Sequence, residues 1–258
     1  MHPCTHATVN REKMMNRKLV NCCVTVLAVC LVSVLSAADD KKSAKAVTPE
    51  SRPAEWWSKR HAEKLKELKS KKTVDLLMIG DSITHGWEGR GKQVWSEYYA
   101  KRNAFNIGYG GDRTEHVIWR LQNGEVDGIS PKLAVIMIGT NNTGHRQDPP
   151  KETAAGIKKI LGELKKRLPK TKVLLLAVFP RGATADDKLR KINTGINKII
   201  KKFAKRKNVS FLDINSTFLD DDGNLSKDVM PDLLHPHEKG YRMWAEAMEP
   251  TIKKLIGG

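Results

Sequence analysis

Five short apolar runs, alternating with amphipathic helical stretches, constrain this chain more than any other feature. Residues 74–79, 104–107, 133–138, 173–179 and 209–212 have the length and composition of buried strands. Helical stretches are read at 55–70, 94–100, 113–122, 153–168, 187–205 and 237–256. In the first of these, Trp56, Leu65 and Leu68 are placed on one face. Short apolar strands alternating with helices predict βαβ units, and hence an α/β domain with a five-stranded parallel sheet covered on both faces. The sequence shows no internal repeat and no second domain.

In a sheet of this kind, ligands bind beyond the C-terminal ends of the strands. Gly80-Asp81-Ser82, the stretch 108–112 and Gly139-Thr140-Asn141-Asn142 each follow a predicted strand directly, so they should share one edge. Asp232 and His235 follow the fifth strand at a distance and can reach that edge through their loop. Serine at its free pKa is a poor nucleophile and needs a base within hydrogen-bond reach. His235 is the candidate, and Asp232, three residues earlier, would share one side of a helical turn and orient the imidazole.

Oxyanion donors are expected from the Gly111 backbone, the Asn141 side-chain amide and the Ser82 amide. Asp81, Trp87, Tyr109 and Asn142 are candidate substrate contacts. Trp87 and Tyr109, with Trp119, form either an aromatic sugar platform or part of the core. Each motif also has a plain structural reading. Ser and Asp commonly cap helices, glycines make tight turns, and an Asp-His turn can simply precede a helix.

The first 38 residues read differently from the rest. A basic stretch, Met15-Asn16-Arg17-Lys18, precedes an apolar run at 19–35 and the small residues Ser36-Ala37-Ala38. This is the layout of a secretory signal peptide, and the run is short for a membrane span. Cleavage is expected after Ala38, with Ala37 as the alternative, and Met14 or Met15 is a candidate true start. The expected mature protein is secreted or periplasmic, with no stable membrane anchor after processing. Residues 39–53 read as a flexible leader, and 54–258 as the folded domain.

All four cysteines precede the cleavage point, which excludes disulfides, thiol catalysis and Cys-ligated zinc from the mature chain. The formal charge of +17 falls to +14 after processing. Such a balance suits polyanionic partners. The lysines, however, are spread over several helices without interleaved aromatics, so they read as solvated faces and no nucleic-acid partner is expected.

Gly80-Asp81-Ser82, the glycine-containing stretch 108–112, Gly139-Thr140-Asn141-Asn142 and Asp232-Leu233-Leu234-His235 resemble, in order, the four blocks of the SGNH (GDSL-type) hydrolases. Residues 106–112 and 119–125, with Pro180-Arg181-Gly182, resemble more closely the platelet-activating-factor acetylhydrolase catalytic-subunit group. The likeness spans about residues 55 to 256. It implies a flavodoxin-like three-layer α/β/α sandwich and metal-free ester hydrolysis without a cofactor. In that reading Ser82 is the nucleophile, His235 the base and Asp232 its partner, with Gly111, Asn141 and the Ser82 amide as oxyanion donors. A homodimer is plausible by family likeness. Asn142 stands where many members carry Asp, and the closer group resembles this chain there.

The sequence lacks a G-x-S-x-G elbow, which argues against the α/β-hydrolase fold. The expected function is removal of acetyl or other short acyl groups from a small-molecule or carbohydrate ester. The alternatives are a phospholipid acetylhydrolase, a non-catalytic carbohydrate-binding module, and a metal-dependent hydrolase using Asp232, His235 and His237.

Overall fold

The computed structural model describes residues 45–71 and 73–257. The signal-peptide reading and all four cysteines lie outside the described residues. Five strands, β1 (Leu76–Gly80), β2 (Ala104–Gly108), β3 (Leu133–Met137), β4 (Lys172–Leu176) and β5 (Val209–Leu212), form one parallel sheet in the order β2-β1-β3-β4-β5. β1 pairs with β2 from Leu76↔Ala104 to Gly80↔Gly108, and with β3 from Leu76↔Leu133 to Gly80↔Met137. The chain steps outward from β1 to β2, then crosses back to β3 on the other side of β1. That reversal opens the crevice where open α/β sheets bind ligands.

Side-chain alternation sorts the strands into two apolar layers. Leu77, Ile79, Phe105, Ile107, Ala134, Ile136, Val173 and Leu175 point to one face. They pack there against α1 (Glu55–Ser70), α4 (Thr114–Gln122), α6 (Pro150–Arg167) and α7 (Lys188–Ile200). Leu76, Met78, Leu133, Val135, Met137, Leu174 and Leu176 point to the other face, against α3 (Lys92–Tyr98) and α8 (Glu238–Ile256). Two one- or two-turn helices, α2 (Ser82–His85) and α5 (Thr140–Arg146), begin directly after β1 and β3. The expected three-layer α/β/α sandwich is the observed fold.

Four details differ from the sequence reading. Trp57, not Trp56, faces the core: Trp57 is 1% exposed and Trp56 44%. The inward face of α1 also carries His61 and Lys64, whose polar heads hid its period. β4 ends at Leu176 because side-chain amides replace a neighbouring strand beyond it. Asn197 Oδ1 accepts the Val178 N–H at 2.7 Å, and Asn197 and Asn215 donate to the Val178 carbonyl.

The helix read at 187–205 is α-helical only to Ile200 and continues as a 3-10 turn over Lys201–Lys205. Residues 45–53, read as a leader, lie against the domain. Ala46 is fully buried and its carbonyl accepts from Thr114 Oγ1 at 2.9 Å, while the Glu50 N–H donates to the Glu115 carbonyl.

Candidate active site

β1 is buried along its whole length, and its last residue, Gly80, delivers the chain to Asp81 and Ser82 at the central edge of the sheet. Asp81 caps α2, its Oδ1 accepting the Ile83 N–H at 3.0 Å. Ser82 is the first residue of α2, so its amide has no carbonyl within the helix to donate to. The hydroxyl projects, half-buried, towards a residue from far along the chain. Ser82 Oγ and His235 Nε2 lie 2.9 Å apart.

The 230–237 turn fixes that histidine. Asp232 Oδ1 accepts the backbone N–H groups of Leu234 and His235, at 3.1 and 2.7 Å. Its Oδ2 lies 2.6 Å from His235 Nδ1. The two residues share a capped turn rather than the helical turn expected from their spacing. Leu233 between them is left-handed (φ 57°) and its carbonyl accepts from the Gly182 N–H. An ionised carboxylate only accepts hydrogen bonds, so Nδ1 carries the ring proton and Nε2 offers its lone pair to the Ser82 hydroxyl. Burial pushes the Asp232 carboxyl up, but the His235 amide and ring and the Leu234 amide outweigh it and hold the carboxyl below its ordinary range.

The oxyanion candidates meet at the same edge. Gly111 adopts φ +72°, where a side chain is strained, and a Cβ there would also meet Arg52 Nη1 at 3.0 Å. The Asn141 side chain is buried, and its Nδ2 donates to the Asp112 carbonyl at 3.0 Å. A primary amide has two N–H groups, so that bond orients Asn141 and leaves one donor to point elsewhere.

The structure places the other four candidates in the interior and not on the cleft wall. Trp87 and Tyr109 are both fully buried. Trp87 packs between Tyr99, Tyr241 and Trp244, with ring centroids 4.6–5.3 Å apart. Tyr109 lies under the Arg120 guanidinium and donates to Glu125. Both rings complete a core, which is where most large aromatics gain their stabilisation. Trp119 packs on Trp57 and His61. Asp81 and Asn142 are also fully buried. Asn142 joins two loops, accepting the Thr114 N–H at 3.0 Å and donating to Asp148 at 3.1 Å.

Behind the site lies a buried charge network that spacing alone does not reveal. Arg120, fully buried, donates through Nε to Asp112 Oδ2 at 2.8 Å and through Nη1 to Glu125. It also donates to the carbonyls of Ile107 and Gly80, the ends of β2 and β1. Trp57 Nε1 donates to the other oxygen of Asp112 at 2.8 Å. One cation thus ties together the two strand ends that present Ser82 and Gly111. Burial pushes the Asp112 carboxyl up to about 6, against the pull of Arg120. Burial raises Asp81 to about 7, with the Ile83 amide opposing and Asp112 adding to the shift.

Two further groups hold the glycine loop. Arg52 Nη1 donates to the Gly110 carbonyl, and the Gly110 N–H donates to His85 Nδ1 at 3.3 Å. Neither contact has a sequence signal, because Arg52 and His85 are distant from the loop in the chain. Ser82 and His235 line a cleft of about 550 Å³ with His85, Glu88, Arg90 and Tyr241. A second cavity, of about 360 Å³, lies beyond β4 and β5 and touches none of the expected site residues. Among the described residues, no group of three or more His, Cys, Asp or Glu is arranged to hold a metal ion.

A hydroxyl joined through imidazole to a carboxylate, beside amide donors, is an arrangement that can pass a proton and stabilise an oxyanion. The model of the GDSL-like lipase/acylhydrolase family matches residues 78–243, from the middle of β1 into α8. The chain belongs to that family.

Among curated relatives, the platelet-activating factor acetylhydrolase IB subunit alpha2 of Homo sapiens is 34% identical over 201 residues, covering 78% of this chain and 85% of that protein. The alpha1 subunit of Bos taurus is 33% identical over 204 residues, covering 78% and 84%. Solved structures with the same fold include a GDSL-like lipase from Bacteroides thetaiotaomicron, with TM-score 0.64, 21% identity, and coverage of 76% of this chain and 97% of that one. An acetylxylan esterase from Geobacillus stearothermophilus has TM-score 0.56 and 20% identity, covering 73% and 97%. As a GDSL acylhydrolase, the protein is a carboxylic ester hydrolase.

Proposed function

We propose that this GDSL acylhydrolase removes acetyl or other short acyl groups from carbohydrate esters by a Ser-His-Asp mechanism. The observation that carries the reading is the unbroken hydrogen-bond chain from Ser82 through His235 to Asp232 at the wall of an open cleft. Ser82 Oγ attacks the ester carbonyl as His235 Nε2 takes its proton, and Asp232 stabilises the imidazolium. The tetrahedral oxyanion is held by the Ser82 and Gly111 amides and by Asn141 Nδ2. Collapse releases the alcohol, which takes the proton from His235. Water, deprotonated by the same ring, then attacks the acyl-serine and frees the carboxylic acid.

The substrate class is supported by the cleft lining. His85, Glu88, Arg90 and glycine backbone form most of it, and the Tyr241 hydroxyl is turned inward to the Ile83 carbonyl. The polar groups of His85 and Arg90 are available there to the hydroxyls of a sugar alcohol. The small acyl group is supported by the names of the acetylhydrolase relatives and the acetylxylan esterase. The N-terminal sequence supports export, where glycoconjugate esters would be met. A second reading, hydrolysis of an acetylated phospholipid, is favoured by the names of the 34%-identical relatives.

The deciding experiment compares wild type and Ser82→Ala on 4-nitrophenyl acetate, butyrate and octanoate, on acetylated sugars and on an acetyl phospholipid. Fast acetate and acetyl-sugar turnover, lost in the variant and after treatment with a serine-directed phosphonate, supports the proposal. A preference for octanoate would remove the short-acyl reading, and a preference for the phospholipid the carbohydrate reading.

A further inference from the structure

Two charged side chains other than histidine line the cleft, Glu88 and Arg90, and they differ in how they are occupied. Glu88 is fully engaged. Arg60 grips it with two bonds of 2.8 Å, and Lys64 Nζ lies 3.0 Å from the same carboxylate. Lys64 Nζ also donates to Glu67 at 2.9 Å, so Arg60 and Lys64 are matched by two carboxylates and neither is left for a ligand. Arg90, in contrast, is exposed and makes no hydrogen bond or ion pair with any described residue.

The loop that carries Arg90 is held in place. The Gly89 and Gly91 N–H groups both donate to the Gly86 carbonyl, at 3.0 and 2.9 Å, and the Lys92 N–H donates to the Gly89 carbonyl. Gly91 sits so close to Trp87 and Tyr241 that a Cβ would lie 2.8 Å from each ring. The backbone is therefore seated on the buried aromatic cluster, with the guanidinium projecting from a fixed base. A cation whose backbone is already ordered loses less freedom when it meets a ligand. Its planar fork matches carboxylate and phosphate oxygens in pairs.

We infer that Arg90 is a specificity-determining residue that binds an anionic group on the alcohol part of the substrate, so that the favoured substrates are acyl esters of acidic saccharides. The inference rests on the ester-hydrolase reading of the cleft given above. A short acyl group at Ser82 leaves the remainder of the cleft to the alcohol. The anion is a carboxylate on the sugar ring or a phosphate on one of its hydroxyls. The formal charge of +14 expected after processing acts in the same direction at longer range, drawing anionic saccharides towards the protein.

The test uses the purified protein and three matched substrates: a mono-acetylated methyl glucoside, the corresponding glucuronide, and the corresponding sugar phosphate. Wild type should show kcat/KM about tenfold higher on a charged ester than on the neutral one, mainly through KM, and added salt should narrow the gap. Arg90→Gln should erase most of that preference, and Arg90→Lys should keep part of it. Preference for the glucuronide or the phosphate identifies which anion is read.

Equal kcat/KM on all three esters in wild type overturns the inference, as does an Arg90→Gln variant, folded by near-UV circular dichroism, that loses the same factor on each. If 4-nitrophenyl acetate is still cleaved in a Ser82-dependent way, only the role of Arg90 falls. If no ester is turned over, the hydrolase reading of the cleft falls with it.

Discussion

Asp232 holds His235 twice, by its ring at 2.6 Å and by its own amide at 2.7 Å. The same carboxylate therefore fixes the imidazole's tautomer and the backbone from which it hangs. Asp232→Asn reverses the first contact by offering a donor to Nδ1, and should lower kcat by roughly 10²–10⁴-fold with little change in KM. Ser82→Ala should cost at least as much. Steady-state kinetics on 4-nitrophenyl acetate provide the check, and a kcat near wild type for either variant would remove the proposed roles.

Asn141 is tethered to the Asp112 carbonyl at 3.0 Å. Asn141→Ala should therefore lower kcat by about 10²–10³-fold, the usual consequence of losing one oxyanion donor. Gly111→Ala should be impaired for a different reason. It places a side chain at φ +72° and against Arg52. Measured by thermal melting, the first variant should lose about 1–3 kcal/mol of stability from the stranded Asp112 carbonyl but fold normally, whereas the second adds backbone strain to its loss of activity.

Asp81 gives a pH dependence with a definite sign. Its folded pKa of about 7 stands above the ordinary value of about 3.9 for an unfolded aspartate. Between those values the folded chain keeps a proton that the unfolded chain has released, so stability falls as pH rises from about 4 to 7 and levels off above. Asp81→Asn removes that titration. Its melting temperature should drop less than that of wild type between pH 5 and pH 8, by an amount on the order of a few kcal/mol of stability. Equal drops in both proteins would show that Asp81 is ionised across the range.

Arg120 is expected to matter for folding before chemistry. Removing one partner of a buried ion network strands the others, here Asp112 and Glu125, and costs about 3–5 kcal/mol. Arg120→Met should show that loss in urea denaturation. Trp87→Ala, which opens a cavity among Tyr99, Tyr241 and Trp244, should cost a similar ~3–5 kcal/mol without changing the ranking of substrates. A changed ranking would return Trp87 to the list of substrate contacts.

The strands were legible because a parallel sheet buried on both faces needs continuous apolar runs, and 74–79 and 133–138 supply them. Ser82, Gly111 and Asn141 were legible as a group because three strand ends of one sheet share an edge, and Asp232 and His235 joined them because a serine nucleophile needs a base. Other features were hidden for physical reasons. Trp56 and Trp57 are equally apolar, and only the packing of His61 and Lys64 stems decides which turns inward. Trp87 and Tyr109 lie near Ser82 and the glycine loop in sequence, yet strand and helix geometry points both rings into the interior. α2 is a single turn, too short to show a helical period, and Arg52 and Arg120 act on carbonyl groups, which carry no sequence signature.

The contact between Ser82 and His235 spans 153 residues of chain. Nothing local brings those two atoms together. β1, the four crossovers of the parallel sheet and the 230–237 turn must all be in place first, and closing so long a loop is slow on the scale of small domains. Recovered ester turnover after dilution from denaturant is thus a late-arriving signal that should trail the return of helical circular dichroism, making the enzyme a reporter of its own completed assembly.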